Sequence, residues 1–373
     1  MRIGFADFCG LNFHAQSVDT QPLGGSHSAA CHLARALARG GHDIFLITHT
    51  STPGTFAGVK CLSWNSTPLS TLRPLQFDVF VCLLGTGNGT LMRSVLGPST
   101  RLVLWTQHSF DEGNMRGLHE AQERESYDEF VLVSDWQREE FLRYFGLDPA
   151  RAHVLRNAVA PAFENLFPDH QPILPEKTKP PIIAYTSTPF RGLELLLEAF
   201  PAIRAAVPGV RLRVFSSMSV YQTPPEADQA KYGDLYRRCR EAAGAEYIGS
   251  LPQPVLAGEL RRVMVLAYPN TFPETSCIAA LEAMASGCRV VTSALGALPE
   301  TTAGFARLTP FGKERQRYLS HFAEQVTDVL QAGMRNDAQE EALLRRQIGY
   351  IHANATWDAR ATQWRQWLEN GDK

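Results

Sequence analysis

Short apolar runs alternate with segments of helical periodicity along almost the whole chain, and this pattern restricts the fold more than any other feature. The helical segments include residues 26–39, 191–206 and 275–286. The apolar runs, each a candidate strand, lie at residues 2–8, 43–48, 77–84, 101–106, 129–134, 152–156, 181–187, 210–216, 245–249, 263–268, 288–293 and 305–309. Strands that are apolar throughout are typical of parallel sheets covered by helices on both faces. We therefore predict an α/β fold of two doubly wound domains, which bind ligands beyond the carboxyl ends of their strands.

The length and one proline-rich stretch predict how the chain divides. At about 150 residues per domain, 373 residues suggest two large domains. Residues 168–181 contain five prolines among polar and charged residues, so this stretch can continue neither a helix nor a central strand. We predict an N-terminal Rossmann-like domain over residues 1–165, a proline-rich linker over 166–180, a second domain over 181–353 and a last helix over 354–373.

Charge and cysteine content exclude several classes of protein. With 36 basic and 38 acidic residues the net charge is −2, which lacks the broad positive field of a nucleic-acid-binding protein. The seven cysteines include no C-x-x-C pair, so their spacing indicates neither a disulfide framework nor a zinc site, and buried free thiols are expected. No apolar run reaches the length of about 18 residues that a membrane span needs, and the first residues have no signal-peptide pattern. We expect a cytoplasmic protein.

The known motifs of other enzyme classes are missing or misplaced. Gly85-Thr-Gly87-Asn-Gly89 resembles a nicotinamide-binding fingerprint, but its third glycine comes one position early and it follows the third strand of its half. A plain turn is favoured there, and a nicotinamide-dependent oxidoreductase remains the weaker alternative. The chain has no D-x-D pair, which argues against a diphosphate held through a divalent metal ion, and we predict no metal site.

Two features before predicted helices suit an anionic ligand. Gly24-Gly25 precedes the helix at 26–39, where glycines let backbone N–H groups approach an anion. Arg191 begins the first helix of the second half and can donate charge-assisted hydrogen bonds to phosphate. Each feature also has an ordinary explanation, a glycine turn in one case and a solvent-facing arginine in the other.

The stretch from Tyr268 to Gly287 is the most informative, because it places Glu274 before a predicted helix and Glu282 within it. The spacing alone means little, since Glu112 and Glu120 are also eight positions apart. In context, backbone amides of residues 275–278 can bind phosphate, while carboxylates suit the hydroxyl groups of sugars. The stretch thus predicts a sugar-nucleotide site, with a structural helix bearing incidental acids as the alternative.

These segments together resemble one enzyme family. "PLGGSHSAACHLARALARGGHDI", "VLVSDWQ", "VLRNAV", "TPFRGLELLLEAF", "YIGSLPQPVLAGEL" and the Glu-x7-Glu segment with "ALEAMASGCRVVTS" occur in the order found in family 4 glycosyltransferases with the GT-B fold. The resemblance covers most of the chain and implies two Rossmann-like domains facing a central cleft. Trp357, Trp364 and Trp367 line one face of the last helix, which predicts that it packs onto a domain. In the similar family this helix crosses back to the N-terminal domain.

The resemblance also implies roles for individual residues. Catalytic roles fall on Glu274, which contacts the donor sugar, on His108 near that sugar, and on Arg191 at the diphosphate. The residues implied to bind the donor, with Glu282 on the ribose, are Gly24, Gly25, Thr275, Ser276, Cys277, Ile278 and Glu282. The chain departs from the family at Thr186, where a second basic residue is common, and at Ser26-His27, where an acidic residue often follows the glycine pair.

The expected protein is a metal-independent, retaining glycosyltransferase of the hexosyltransferase type. Its co-substrate is a nucleotide-diphosphate sugar and it needs no cofactor; its acceptor is a hydroxyl of a glycan, a lipid-linked or a small molecule. The resemblance implies bacterial polysaccharide biosynthesis, which places the enzyme in the cytoplasm at the inner face of the membrane, with peripheral membrane contact. A nucleotide-sugar-binding protein without activity and a nucleotide-sugar epimerase remain as alternatives.

Overall fold

The computed structural model of the protein describes residues 1–177, 179–312, 314–335 and 337–370. Of residue 370 it describes the backbone but not the side chain. The chain forms two compact units. Unit 1 contains Met1–Thr20, Gly24–Ala158 and the chain from Trp357 on, whereas unit 2 contains Gln21–Leu23 and Val159–Thr356.

Unit 1 is built on an eight-stranded sheet in the order β3-β4-β2-β1-β5-β6-β7-β8. Its strands are β1 Arg2–Asp7, β2 Asp43–Thr48, β3 Gly54–Phe56, β4 Val59–Ser63, β5 Val79–Leu83, β6 Arg101–Trp105, β7 Glu129–Leu132 and β8 Ala152–Val154. All neighbours run parallel except β3, which pairs antiparallel with β4. The six strands predicted in this half are confirmed. The edge hairpin of β3 and β4 was missed because β3 is short and the residues of β4 alternate between buried and exposed.

The helices of unit 1 that precede the unit boundary cover this sheet. They are α1 Gly25–Arg39, α2 Gly89–Leu96, α3 Ala121–Ser126 and α4 Asp135–Phe145. The strand order reverses between β1 and β5, so the loops that follow these two strands begin on either side of a topological switch point.

Unit 2 has a six-stranded parallel sheet in the order β11-β10-β9-β12-β13-β14. Its strands are β9 Ile182–Tyr185, β10 Arg211–Val214, β11 Ala245–Tyr247, β12 Val265–Tyr268, β13 Arg289–Ser293 and β14 Arg307–Thr309, which confirms the six predicted ones. The switch point lies between β9 and β12, because β10 lies on one side of β9 and β12 on the other.

The helices of unit 2 are α5 Leu193–Ala206, α6 Pro225–Glu241, α7 Gln253–Leu260, α8 Ile278–Ala285, α9 Leu298–Thr301, α10 Arg315–Met334 and α11 Ala338–Asn354. Of these, α8 begins three residues later than the sequence predicts. Its N-cap, Cys277, has extended backbone angles, and Ser and Thr side chains before it favour non-helical conformations. The amides at positions 275–277 therefore belong to the loop before α8 rather than to the helix.

The unit boundary differs from the predicted one. Residues 159–165 belong to unit 2, because Val159, Ala160 and Phe163 are part of the core of that unit. The proline-rich stretch does not bridge the units either: Ile173 and Leu174 are buried with residues of α11. A few positions of the predicted segments lie outside the described residues. They are residue 178 of the linker, residues 313 and 336 of the second domain and residues 371–373 of the last helix.

The last helix, α12 Trp357–Asn370, is part of unit 1. Trp364 is buried there, with its ring centroid 6.2 Å from that of Phe5 on β1 and 5.0 Å from that of Trp105 on β6. The tryptophan face thus packs onto a domain, as its spacing predicts. Within the described residues, no helix combines the length and the apolar character needed to cross a membrane.

Candidate functional site

Arg191 of unit 2 is placed by a tight turn at the sheet switch point. After β9 the chain forms a 3-10 turn over Pro189–Arg191, and Gly192 follows with φ +120°. A Cβ on Gly192 would overlap the carbonyl oxygen of Pro269, which follows β12. The loops after β9 and β12 therefore touch, and a residue without a side chain is required where they do.

Arg191 and Glu274 form an ion pair at this switch point. Arg191 Nη1 donates to both carboxylate oxygens of Glu274, at 2.9 and 3.0 Å, and the Tyr268 hydroxyl donates to Oε1 at 2.5 Å. The Arg191 guanidinium also lies 4.4 Å from the centre of the Phe272 ring. Burial alone lowers the pKa of Arg191, but the electrostatic interactions with Glu274 and with neighbouring groups such as Tyr268 together outweigh it, so the pKa is raised and the arginine stays cationic. The pair fixes the direction of a buried carboxylate.

The main chain of Glu274 is fixed as tightly as its side chain. Ala297 N donates to the Glu274 carbonyl oxygen at 2.7 Å. Gly296, with φ +59°, lies so close that an added Cβ would overlap the Glu274 backbone. Sequence reasoning missed Gly296 because it lies 22 positions from Glu274 on the loop after β13, and only the folded chain brings them together.

Glu282 occupies a different environment. It is the fifth residue of α8, it is buried, and its Oε1 accepts a hydrogen bond from the Gln253 side-chain amide at 2.6 Å. Burial raises the pKa of Glu282 to about 8, although the Gln253 hydrogen bond opposes this shift. A large share of the protein therefore carries a protonated Glu282 at neutral pH. Gln253, the first residue of α7, is the second contributor that the sequence did not reveal.

The segment between the two glutamates contains four further predicted donor-binding residues. Thr275 and Cys277 are buried, whereas Ser276 and Ile278 are half-buried. Burial, followed by the negative charge of Glu274, raises the pKa of the Cys277 thiol well above its ordinary value. This cysteine is consequently a neutral thiol and an unsuitable nucleophile.

His108, Gly24 and Gly25 lie in unit 1. His108 follows β6, and its Nδ1 lies 2.9 Å from Glu112 Oε2. Its Nε2 has no hydrogen-bond partner among the residues that the structure describes. Gly24 is the buried N-cap of α1 and Gly25 is its exposed first residue.

The Gly85–Gly89 loop, considered above as a dinucleotide site, already binds a carboxylate of the protein itself. Glu123 accepts hydrogen bonds from the amides of Gly87 (2.7 Å), Gly89 (2.9 Å) and Thr90 (3.1 Å) and from the Tyr127 hydroxyl (2.8 Å). Burial alone raises the pKa of Glu123, but these hydrogen bonds outweigh it and the pKa is lowered. The amides at the start of α2 are therefore occupied where a pyrophosphate would need them.

Comparisons with known proteins agree with this picture of unit 2. Residues 180–331, which include Arg191, Glu274 and Glu282, match the family model described as "Glycosyl transferases group 1". No curated protein matches the sequence.

Solved structures resemble the chain over nearly its whole length at low sequence identity. Sucrose-phosphate synthase from Thermosynechococcus elongatus has a TM-score of 0.71 at 17% identity, covering 99% of this chain and 98% of that one. WaaG, a glycosyltransferase involved in lipopolysaccharide biosynthesis, has a TM-score of 0.66 at 14% identity, covering 97% and 98%. Anabaena Alr3699/HepE in complex with UDP and glucose has a TM-score of 0.66 at 14% identity, covering 99% and 100%.

The fold is thus the α/β GT-B fold predicted from the sequence. The domain match and the fold together support a glycosyltransferase.

Proposed function

We propose that the protein transfers a sugar from a nucleotide-diphosphate sugar to a hydroxyl group of a glycan, a lipid-linked or a small-molecule acceptor. The observation that carries this proposal is the Arg191–Glu274 pair at the switch point of the unit 2 sheet, inside the segment that matches the glycosyltransferase family model. A nucleotide sugar as partner is supported by the similar Anabaena structures, which were solved in complexes with UDP, with UDP and glucose, and with UDP-glucose.

In this proposal the two glutamates bind hydroxyl groups and not phosphate. Glu274, held by Arg191 and Tyr268, accepts from hydroxyls of the donor sugar, and Glu282, held by Gln253, accepts from the ribose. The remaining N–H groups of Arg191 and the amides of residues 275–278 hold the diphosphate without a metal ion. For Gly24, Gly25 and His108 of unit 1 we keep the roles toward the donor that the family resemblance implies.

Catalysis then rests on positioning and on stabilising the departing diphosphate. The acceptor hydroxyl attacks the anomeric carbon on the face from which the diphosphate leaves, and a phosphate oxygen takes the acceptor proton, so the configuration is retained. The proposal further includes that the transferred sugar is a hexose and that the enzyme serves bacterial polysaccharide synthesis. It would act in the cytoplasm, at the inner face of the membrane.

A panel of nucleotide sugars tests it. The cognate donor should raise the melting temperature of the protein, because a ligand that binds the folded state alone stabilises it. With that donor, Glu274→Gln should lower the transfer rate by about 10- to 100-fold, the range expected for losing a hydrogen bond to a charged group. Glu282→Gln should lower it by about 2- to 10-fold, the range for a neutral hydrogen bond, because this carboxyl group is largely protonated at neutral pH. Glu120→Gln, an exposed member of the other eight-spaced pair, is the matched control and should keep full activity. Full transfer by both site variants would refute the site assignment.

Thr186 gives a specific reason to test for a binding protein or an epimerase. It replaces the second basic residue that is common in the similar family, and the nearby Arg191 is paired with Glu274. Product analysis separates the cases. A transferase releases the nucleoside diphosphate and forms a glycoside, an epimerase changes the sugar, and a binding protein does neither. The oxidoreductase alternative predicts that the protein binds NADH. A fluorescence titration that detects no binding would exclude it, in agreement with the occupation of the Gly85–Gly89 amides by Glu123.

A further inference from the structure

Unit 1 contains a polar cluster that the proposed reaction does not use. Asp7 is the last residue of β1, Cys9 follows it closely, and His27 lies in the first turn of α1. A carboxylate oxygen, the cysteine sulfur and a ring nitrogen of these three residues all lie within 4.8 Å of one another. Because β1 borders the switch point of its sheet, the cluster lies at the edge where doubly wound sheets bind ligands.

The cluster buries polar atoms without satisfying them. Asp7 is 0% exposed and His27 is 5% exposed. In the described part of the chain, Asp7 Oδ1 and both ring nitrogens of His27 have no hydrogen-bond partner. Asp7 accepts from Cys9 N, which lies at the long distance of 3.3 Å from Oδ2, and from the Cys9 thiol, which is a weak donor. A carboxylate this poorly compensated is unfavourable in a protein interior, and a cation bound to it removes the deficit.

The distance between the two buried groups distinguishes an ion pair from a metal site. Asp7 Oδ1 and His27 Nε2 are 3.5 Å apart. A charge-assisted N–H···O hydrogen bond measures about 2.7–2.9 Å. In contrast, oxygen and nitrogen ligands at about 2.0–2.1 Å from one tetrahedral Zn²⁺ lie about 3.3–3.4 Å from each other. The observed distance fits two ligands of a common ion better than a direct hydrogen bond.

We propose that Asp7, Cys9 and His27 bind a Zn²⁺ ion through a carboxylate, a thiolate and an imidazole. This donor set selects zinc over Mg²⁺ and Ca²⁺, which prefer oxygen ligands. Cys9 is exposed, so the ion has a route from solvent. Three protein ligands leave a fourth coordination position for water or a substrate oxygen, the arrangement of zinc sites that react rather than only stabilise. The proposal does not rest on the residues of unit 2 that are proposed to bind the donor without a metal ion.

Cobalt binding to the full-length, tag-free protein tests the site, because Co²⁺ takes the place of Zn²⁺ and reports its ligands by colour. After chelator treatment, one equivalent of Co²⁺ should give visible tetrahedral bands and a near-ultraviolet thiolate-to-cobalt band. One equivalent of Zn²⁺ should abolish both, whereas Mg²⁺ should not. Cys9→Ser should lose the thiolate band, and Asp7→Asn and His27→Gln should each weaken zinc binding by about 10-fold or more, at least the loss seen for outer-shell changes.

His170→Gln, which removes an exposed histidine of unit 2, is the control and should leave zinc affinity unchanged. Circular dichroism of the metal-free variants identifies any that fail to fold, and Cys9→Ser, at an exposed position, keeps the test valid if a buried variant does fail. Two results would overturn the proposal: a folded wild-type protein that binds no stoichiometric zinc, or a Cys9→Ser variant that retains the thiolate band.

Discussion

Two glutamates of unit 2 show how strongly local surroundings decide the behaviour of the same residue type. Glu274 is paired with the Arg191 guanidinium and accepts from the Tyr268 hydroxyl. Glu282 is equally buried, but its described side-chain hydrogen bond comes from the neutral amide of Gln253. Burial then raises the pKa of Glu282 to about 8. One site thus combines a carboxylate held next to a cation with a carboxyl group that is largely protonated at neutral pH.

At the scale of this single residue, Glu282→Gln should change how stability depends on pH. Between the ordinary carboxyl pKa of 4.5 and the folded-state value of about 8, the unfolded chain has lost the proton and the folded chain retains it. Wild-type stability should therefore fall as pH rises through this window, by up to about 1.4 kcal/mol per pH unit, and level off above it. The Gln variant lacks this titration, so it should gain stability relative to the wild type from pH 5 to pH 9.

Urea unfolding of both proteins at pH 5, 7 and 9 measures this difference, because other titrating groups contribute equally and cancel. A constant difference across this range would show that Glu282 titrates normally in the folded protein.

At the scale of elements, α2 and α3 are joined through one carboxylate. Glu123 on α3 accepts hydrogen bonds from the amides at the start of α2, where the helix dipole favours a negative charge. Gly89 is packed so closely on Ser126 and Tyr127 that any Cβ would overlap them. The glycines of this loop therefore serve the packing of two helices and the capture of an internal anion.

Removing that anion should destabilise unit 1. Glu123→Ala leaves the buried amides of this loop and the Tyr127 hydroxyl without their acceptor, at a cost of about 3 kcal/mol or more in the free energy of unfolding. Glu123→Gln keeps an acceptor and should cost less. Chemical denaturation compares them, with the exposed Gln122→Ala as the neutral control. Equal stability of Glu123→Ala and the control would contradict this account of the loop.

At the scale of the whole molecule, unit 1 is discontinuous in sequence. It is completed by α12, which follows about two hundred residues of unit 2 in the chain. Besides the ring contacts of Trp364, the Arg101 guanidinium of β6 lies 4.4 Å from the centre of the Trp367 ring and donates to the Leu368 carbonyl oxygen at 3.1 Å. The core of unit 1 is therefore complete only when the end of the chain has docked.

Trp364→Ala should destabilise unit 1 by about 3–5 kcal/mol, because it leaves a large cavity against Phe5 and Trp105. Hydrogen exchange measures this locally, and the amides of β1 and β6 should lose protection. Gln366→Ala, an exposed change on the same helix, should leave protection unchanged. Undiminished protection of β1 in the Trp364 variant would show that α12 is not needed for this core.

The sequence by itself determined the fold class, twelve of the fourteen strands in the described residues and the segments that contain Arg191, Glu274 and Glu282. It could do so because buried parallel strands leave continuous apolar runs and tight turns leave glycines, and both signals are local. It placed the unit boundary less well, because packing of Val159, Ala160 and Phe163 into the core of unit 2 decides it. It also placed the start of α8 three residues too early, because the Thr and Ser side chains at 275 and 276 favour non-helical conformations.

Only the tertiary structure decided which groups meet. The folded chain brings Tyr268 and Gly296 to Glu274, and Gln253 to Glu282. It also places Glu123 in the glycine loop and brings Asp7, Cys9 and His27 together. Several of these contacts join residues far apart in sequence. Such contacts depend on strand order and on the path of loops between strands, and no local pattern records either. The residue types that a chemistry needs can be read along the chain, but their pairing is set by the fold.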